Sequence, residues 1–201
     1  MKKKILIGTG NPHKIKFLTE IVADYFEPVF LRESFEVKEV GGNFLEIAEN
    51  KSLFYSIKYK TLVVSTDGGA VIPALDNWNP LTTRRFAEND QERIEKLLVM
   101  MEDVKDRRLE WYEALAVSDN GKLLFSSLQR AMDAEITKVF NPEFYHPGIW
   151  LCSICEFPKF GNKNYFELNE TEKRTTEDSW DKLKDDFGKF ARDYVVSFKK
   201  S

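Results

Sequence analysis

With 201 residues, 33 of them acidic and 30 basic, the chain carries a formal charge of −3, so nothing electrostatic recommends a nucleic-acid polymer as partner. Two cysteines, and a Lys2-Lys3-Lys4 start whose apolar run is cut short by Gly8-Thr9-Gly10-Asn11, argue against secretion and disulfide dependence. No stretch reaches membrane-spanning length, which leaves the expectation of a soluble, cytoplasmic protein of one large domain or two small lobes.

Ile5 to Ile7 is apolar on successive residues, as a strand covered on both faces would be. Thr9, Gly10 and Asn11 supply a turn, Pro12 suits a first helical position, and Phe17, Leu18, Ile21, Val22 and Tyr25 recur at helical spacing. Such a turn points backbone N–H groups and a helix dipole at whatever binds there, and Lys14 adds a full charge, the outline of a phosphate site. An ordinary strand–helix connection accounts for this stretch equally well, and the glycine spacing of a Walker loop or dinucleotide fingerprint is absent. His13, in the same turn, reads as a solvated helix-start histidine.

Short strands are expected over Val29 to Leu31 and Phe35 to Val37. Asn43 then makes an N-cap with Glu46 in capping-box relation, and Phe44, Ile47, Ala48, Leu53, Phe54 and Ile57 form the apolar face of a helix. Capping alone is enough to explain Glu46 at this point. Leu62-Val63-Val64-Ser65 is a buried strand that runs into Thr66-Asp67-Gly68-Gly69. An acidic residue at the C-terminal end of a strand, followed by glycines, is a recurrent active-site arrangement in open α/β sheets. Gly68 and Gly69 would let the backbone turn and a ligand come close. The plainer reading is a turn aspartate at a Gly-Gly corner, with a strand resuming from Ala70 to Leu75.

Trp78-Asn79-Pro80 leads into a basic-aromatic segment, Thr82-Thr83-Arg84-Arg85-Phe86, and Asp90 caps a helix with Ile94, Leu97, Leu98 and Met101 on one face. Arg107 and Arg108 open a strand through Val117, Ser118 to Lys122 is a hairpin signal, Leu123 to Phe125 returns, and Ala131 to Val139 gives one more strand. Phe140 to Gly161 is loop-rich around the apolar run Ile149 to Cys155. Cys152 and Cys155 have metal-knuckle spacing, but only His13 and His146 could complete a tetrahedron, and on a strand residues three apart face opposite ways. Buried structural thiols are expected. Ser179 to Phe198, with Trp180, Leu183, Phe187, Phe190, Tyr194 and Phe198 at threes and fours, is an amphipathic helix.

In this order the motifs resemble those of the inosine/xanthosine triphosphate pyrophosphatase family. Thr9-Gly10-Asn11 with Lys14 resembles its T-G-N-x-x-K, and Glu39 to Glu46, with Lys51 beyond, is similar to its E-T-G-x-T-F-x-E-N-A. Val64 to Val71 resembles A-D-D-S-G-L-x-V, Thr83 to Ala87 resembles S-A-R-Y-A, and Glu135-Ile136-Thr137 and the Glu172-Lys173 pair extend the likeness. The departures are specific. Thr66 stands at the first aspartate of the D-D pair, Ile47 at the asparagine after Glu46, and Gly148 to Ser153 at G-F-G-[YW]-D-P, with Cys152 in place of the aspartate. The S-H-R triplet falls near Glu177-Asp178-Ser179 and is absent.

The resemblance implies an α/β fold, a long mixed twisted sheet flanked by helices, forming a single domain over residues 1–201 with two lobes and a central nucleotide cleft. It implies Mg²⁺-dependent hydrolysis of a nucleoside triphosphate to the monophosphate and pyrophosphate, with a base preference altered from inosine and xanthosine. Glu46 and Asp67 would be the metal ligands, Asp67 also the water-activating carboxylate, since Mg²⁺ needs one or two carboxylates besides phosphate oxygens and waters. Thr9, Asn11, Lys14, Lys51, Gly68, Arg85, Trp150 and Lys173 would bind substrate, the lysines by neutralising phosphate charge. The family's habit implies a homodimer; Trp111 and Tyr112 could serve it, or the core. The alternative is a non-catalytic nucleotide-binding relative of the same fold, motivated by Thr66 and the missing triplet. A phosphatase or kinase-like enzyme on another α/β fold is disfavoured by the lack of a Walker loop.

Overall fold

The unbroken hydrophobicity of residues 5–7 produces a strand buried on both faces, and the sheet grows around it. In the computed structural model, which describes residues 2–31 and 40–198, the strands in chain order are β1 (Lys4–Ile7), β2 (Glu27–Phe30), β3 (Leu62–Val71), β4 (Arg108–Asp119), β5 (Lys122–Arg130), β6 (Ala134–Ile136), β7 (Cys155–Phe157) and β8 (Lys163–Asn164). The helices are α1 (Pro12–Val22), α2 (Phe44–Tyr59), α3 (Asp90–Met100), α4 (Glu170–Thr176) and α5 (Ser179–Phe198). The strand expected over Phe35 to Val37, and Glu39, lie outside the described residues. The chain divides into two compact units: Met1–Gly68 with Glu113–Gln129 and Ser179–Ser201, and Gly69–Tyr112 with Arg130–Asp178.

In the first unit the strands lie in the order β2-β1-β3-β4, with β5 beside β4; β1 is parallel to both β2 and β3. Ile5, Ile7, Leu62, Val64, Leu115 and Val117 present one face of this sheet to Phe17, Leu18, Ile21 and Val22 of α1 and to Trp180, Leu183, Phe187 and Ala191 of α5. The alternate residues Leu6 and Val63 meet Tyr55 of α2. The face of α2 differs from the expected one. Phe54 and Ile57 are exposed, while Ser52, Tyr55 and Ser56 are buried with Phe44, Ile47 and Ala48. Small hydroxyls make that contact: Ser52 Oγ lies 2.7 Å from Ser118 Oγ, and Ser56 Oγ accepts from the Gly121 N–H at 2.9 Å. The Asn120-Gly121 turn holds both residues at positive φ (49° and 80°), as a two-residue hairpin needs.

Two details of this unit bear on the site. β3 does not break at Gly68-Gly69 and resume to Leu75; it is one strand to Val71, so Asp67 sits within it. Its neighbour β4 holds it extended there, with Thr66 Oγ1 donating to the Ala114 carbonyl at 2.5 Å. Gly8, where β1 enters the turn, is packed without room for a side chain: a Cβ would stand 2.3 Å from Ser65 Oγ and 3.0 Å from Tyr55 and Val63. Gly8→Ala is therefore expected to destabilise by about 1–3 kcal/mol through overpacking, which a thermal melt would register as a drop of about 2–4 °C per kcal/mol.

The second unit orders its strands β4-β6-β7-β8, all antiparallel, over a core of Ile72, Trp78, Ile94, Leu97, Met101 and Trp150. Helix α3 is capped by Asn89, whose Oδ1 accepts from the Glu92 N–H at 3.0 Å. Asp90, expected as the cap, instead pairs with Arg93 and accepts from the Gly148 N–H. β6 is three residues long, because Arg107 donates to the Ile136 and Thr137 carbonyls where the strand expected to Val139 leaves the sheet. The run expected as loop around Ile149 to Cys155 is a 3₁₀ turn over Trp150–Ile154 leading into β7. Among the described residues no helix is long and apolar enough to cross a membrane. The mixed α/β architecture is the expected one.

Candidate active site

The turn after β1 is shaped by its own side chains. Asn11 caps α1, its Oδ1 accepting from the His13 and Lys14 N–H groups at 3.0 and 3.4 Å, and Pro12 occupies the first turn where no N–H is needed. Thr9 is buried, with its Oγ1 accepting from the Asn11 N–H at 3.3 Å. Lys14, on the first turn of α1, reaches Glu113 of β4 at 3.7 Å, and both side chains are largely buried (16% and 7% exposed). A second pair joins Lys51 of α2 to Asp67 of β3 at 3.3 Å, again largely buried. The Thr66–Ala114 hydrogen bond ties residues 66–67 to residues 113–114, so the two lysine–carboxylate pairs stand on adjacent strands.

Glu46 is exposed at the start of α2, with both carboxylate oxygens serving that helix start. Oε2 accepts from the Gly42 N–H at 2.7 Å and Oε1 from Asn43 Nδ2 at 2.9 Å. An ionised carboxylate has about four lone-pair sites, so capping leaves acceptor capacity for a cation. Among the described residues no three His, Cys, Asp or Glu side chains stand close enough to hold a metal. In number, two carboxylates such as Asp67 and Glu46 are what a hard cation takes when phosphate oxygens and water fill the rest of its shell.

The family model described as the Ham1 family matches residues 5–177. The chain belongs to the Ham1 family. A protein of Oceanobacillus iheyensis named dITP/XTP pyrophosphatase is 35% identical over 130 residues, covering 60% of this chain and 66% of its own. Proteins of the same name from Aquifex aeolicus and Synechocystis are 27% and 26% identical, covering 71% and 85% of this chain and 82% and 86% of theirs. The chain spans less than two thirds of the length of the Oceanobacillus relative (66%) and of the Prochlorococcus marinus ones (62%). Among solved structures, the Staphylococcus aureus Ham1 protein superposes with a TM-score of 0.74 at 23% identity, covering 90% of this chain and 96% of that one. A HAM1 protein from Coxiella burnetii gives 0.73 at 20%, over 99% and 100%. These likenesses establish the Ham1 fold.

The remaining expected substrate-binding residues lie in the second unit, each in its own setting. Arg85 is exposed at the end of the 3₁₀ turn Pro80–Arg85. Lys173, on α4, is half-buried, 3.7 Å from Glu170 and 5.8 Å above the Tyr165 ring. Trp150 is 4% exposed, stacked on Phe86 within the unit's core. Near the missing triplet, Tyr165 donates its hydroxyl to Glu177 at 2.7 Å, and burial together with that bond pushes its pKa above the ordinary tyrosine range.

Glu113 went unnoticed in the sequence. Its signal is an acidic residue set directly before a buried run, Ala114 to Val117, where a strand has no ordinary use for charge.

The cysteines behave as structural thiols. With Cys152 in the 3₁₀ turn and Cys155 opening β7, the strand-alternation argument no longer applies, but Cys155 donates its thiol to the Leu151 carbonyl at 3.0 Å, and burial pushes the Cys152 thiol up to about 12, with Glu177 adding to it. At pH 8 such a thiol is ionised about 10³-fold less than an ordinary one of pKa ≈ 8.5. A thiol-reactive disulfide dye at pH 8 is thus expected to label folded protein on the order of a thousandfold more slowly than urea-unfolded protein; equal rates would contradict the burial.

Proposed function

We propose that this chain is a Mg²⁺-dependent nucleoside triphosphate pyrophosphohydrolase whose base preference is altered from inosine and xanthosine. The observation that carries the reading is one arrangement in the first unit. A capped helix start bearing Lys14 and a buried Lys51–Asp67 pair are linked through the hydrogen bond between β3 and β4. Ham1 membership and the names of the curated relatives support the same reaction. A triphosphate repels an attacking hydroxide, and Mg²⁺, when bound, supplies charge neutralisation and a more acidic water.

The chain's own residues do the rest. Lys14 and Lys51 bind phosphate oxygens, backbone N–H groups at the start of α1 hydrogen-bond them, and Thr9, Asn11 and Gly68 shape the turn and strand they approach. Asp67, with Glu46 as the second metal-binding carboxylate, accepts the proton of the water that attacks the α-phosphorus. The bond from that phosphorus to the bridging oxygen breaks, and pyrophosphate leaves. Arg85 and Lys173 would add phosphate contacts by the family resemblance, whereas Trp150, 4% exposed and stacked on Phe86 in the core, has no surface to offer a substrate. The ground for the altered preference is the absent S-H-R triplet and Cys152 at the aspartate of the G-F-G-[YW]-D-P segment. A cytoplasmic location goes with the nucleotide pool such an enzyme acts on. A homodimer through the β4–β5 hairpin fits exposed Leu123 and Leu128, and light scattering would give a monomer mass if it is wrong.

One observation favours a second reading, a nucleotide-binding relative without turnover. The Thr66 hydroxyl is committed to the Ala114 carbonyl, so that position contributes neither charge nor a hydroxyl to the reaction. A panel of ribo- and deoxyribonucleoside triphosphates with Mg²⁺, assayed for both pyrophosphate and orthophosphate, separates the two. Pyrophosphate release, with inosine and xanthosine triphosphates no longer leading, is the expected result. Tight binding with no phosphate product would establish the second reading, and orthophosphate alone would overturn both.

A further inference from the structure

We propose that Glu113 is a positioning residue, which holds the Lys14 ammonium oriented for phosphate binding at the start of α1. The inference rests on the reading of Lys14 as a phosphate ligand and goes beyond it by giving a role to a carboxylate that reading leaves without one.

The geometry comes from strand alternation. Leu115 and Val117 of β4, and Leu62 and Val64 of β3, belong to the apolar cluster under α1 and α5. Side chains two apart on a strand share a face, so Glu113 and Thr66 continue the same two rows where the cluster ends. There Glu113, 5% exposed, meets Lys14 at 3.7 Å, and the Thr66–Ala114 hydrogen bond pins the adjoining piece of β4. Asp67 and Lys51 belong to the other row, with Val63 and Tyr55 of α2. The two pairs thus occupy opposite faces of neighbouring strands.

Stability does not explain the Lys14–Glu113 pair, because a buried ion pair is often no better than apolar residues of the same volume, and this one extends an apolar row. Direct contact with substrate does not explain it either, since a carboxylate repels a polyphosphate. Acting through the lysine does. A lysine's four-carbon stem has many rotamers, and fixing its head group before the phosphate arrives removes part of the ordering cost of binding.

The test is calorimetric titration of the full chain with inorganic tripolyphosphate, for wild type, E113Q, K14M and the double variant. The proposal expects E113Q to weaken binding roughly 3- to 10-fold, the scale of one immobilised side chain, and to change it less than about 2-fold in the K14M background. Plain electrostatics gives the opposite sign, because neutralising a carboxylate near an anion site should tighten binding. Tighter or unchanged binding by E113Q would therefore overturn the proposal, as would an equal loss in both backgrounds, which marks a role independent of Lys14. Should E113Q fail to fold, E113D in the same two backgrounds reads the same coupling. The titration needs no turnover, so absence of pyrophosphate release from any nucleoside triphosphate would defeat the proposed function and leave this result standing.

Discussion

Asp67→Asn is expected to lower nucleoside triphosphate turnover by about 10²- to 10⁴-fold, the scale of a lost general base. Asparagine has the same shape, keeps one acceptor for Lys51, and can neither take a proton nor neutralise a cation. The substitution should also destabilise, by up to about 3–5 kcal/mol, because it removes the counter-charge from a lysine whose side chain is only 15% exposed. Turnover must therefore be measured below the variant's own melting temperature. Glu46→Gln makes the informative contrast. Its side chain is exposed and its bonds are capping bonds, one of which glutamine retains, so the stability loss should stay within about 1 kcal/mol. A fall in turnover of about 10²-fold in Glu46→Gln, at nearly unchanged stability, would identify it as a metal-binding carboxylate. Near-normal hydrolysis by folded Asp67→Asn would remove Asp67 from the chemistry.

What the sequence made legible here is what is local. The strand–turn–helix at residues 4–22, the Asn120-Gly121 hairpin and α5 all carry their signals within one turn or one period, and all three form as read. The misreadings share a cause in tertiary packing. Helix α2 buries Ser52 and Ser56 because β4 and the hairpin supply hydroxyl and N–H partners, something no apolar period can announce. Gly68 and Gly69 extend a strand because β4 lies beside them, where glycines alone suggested a corner. Helix α4 carries a local signal of another kind: Asn169 and Glu172 form a reciprocal capping box on a short, polar segment without a hydrophobic stripe. For the site, residue types were visible and pairings were not. Nothing in the spacing of Lys51 and Asp67 requires them to meet, and Lys14 finds Glu113 only because α1 packs across β4.

Trp180→Ala tests whether the phosphate turn depends on the core behind it. Trp180 opens α5, is 4% exposed, and stacks flat on Phe17 of α1 with ring centroids 4.7 Å apart; Phe17 in turn meets the His13 ring edge-on at 4.9 Å. The rings form a continuous line from the start of α5 to the residue before Lys14. Truncating a buried tryptophan costs about 3–5 kcal/mol, which for a chain of this size means a melting temperature lower by roughly 6–20 °C. The kinetic consequence should be selective. Asp67 and Lys51 are carried by β3 and α2 and keep their pairing, so kcat at saturating substrate and permissive temperature is expected to change less than about 3-fold. The start of α1, having lost the ring that Phe17 rests on, should bind phosphate less well, raising KM about 10-fold if one to two kcal/mol of preorganisation is lost. Trp180→Phe, which restores an aromatic face, should recover most of both. A variant that loses stability with KM unchanged would show that the capped turn holds its geometry through Asn11 and Gly8 alone.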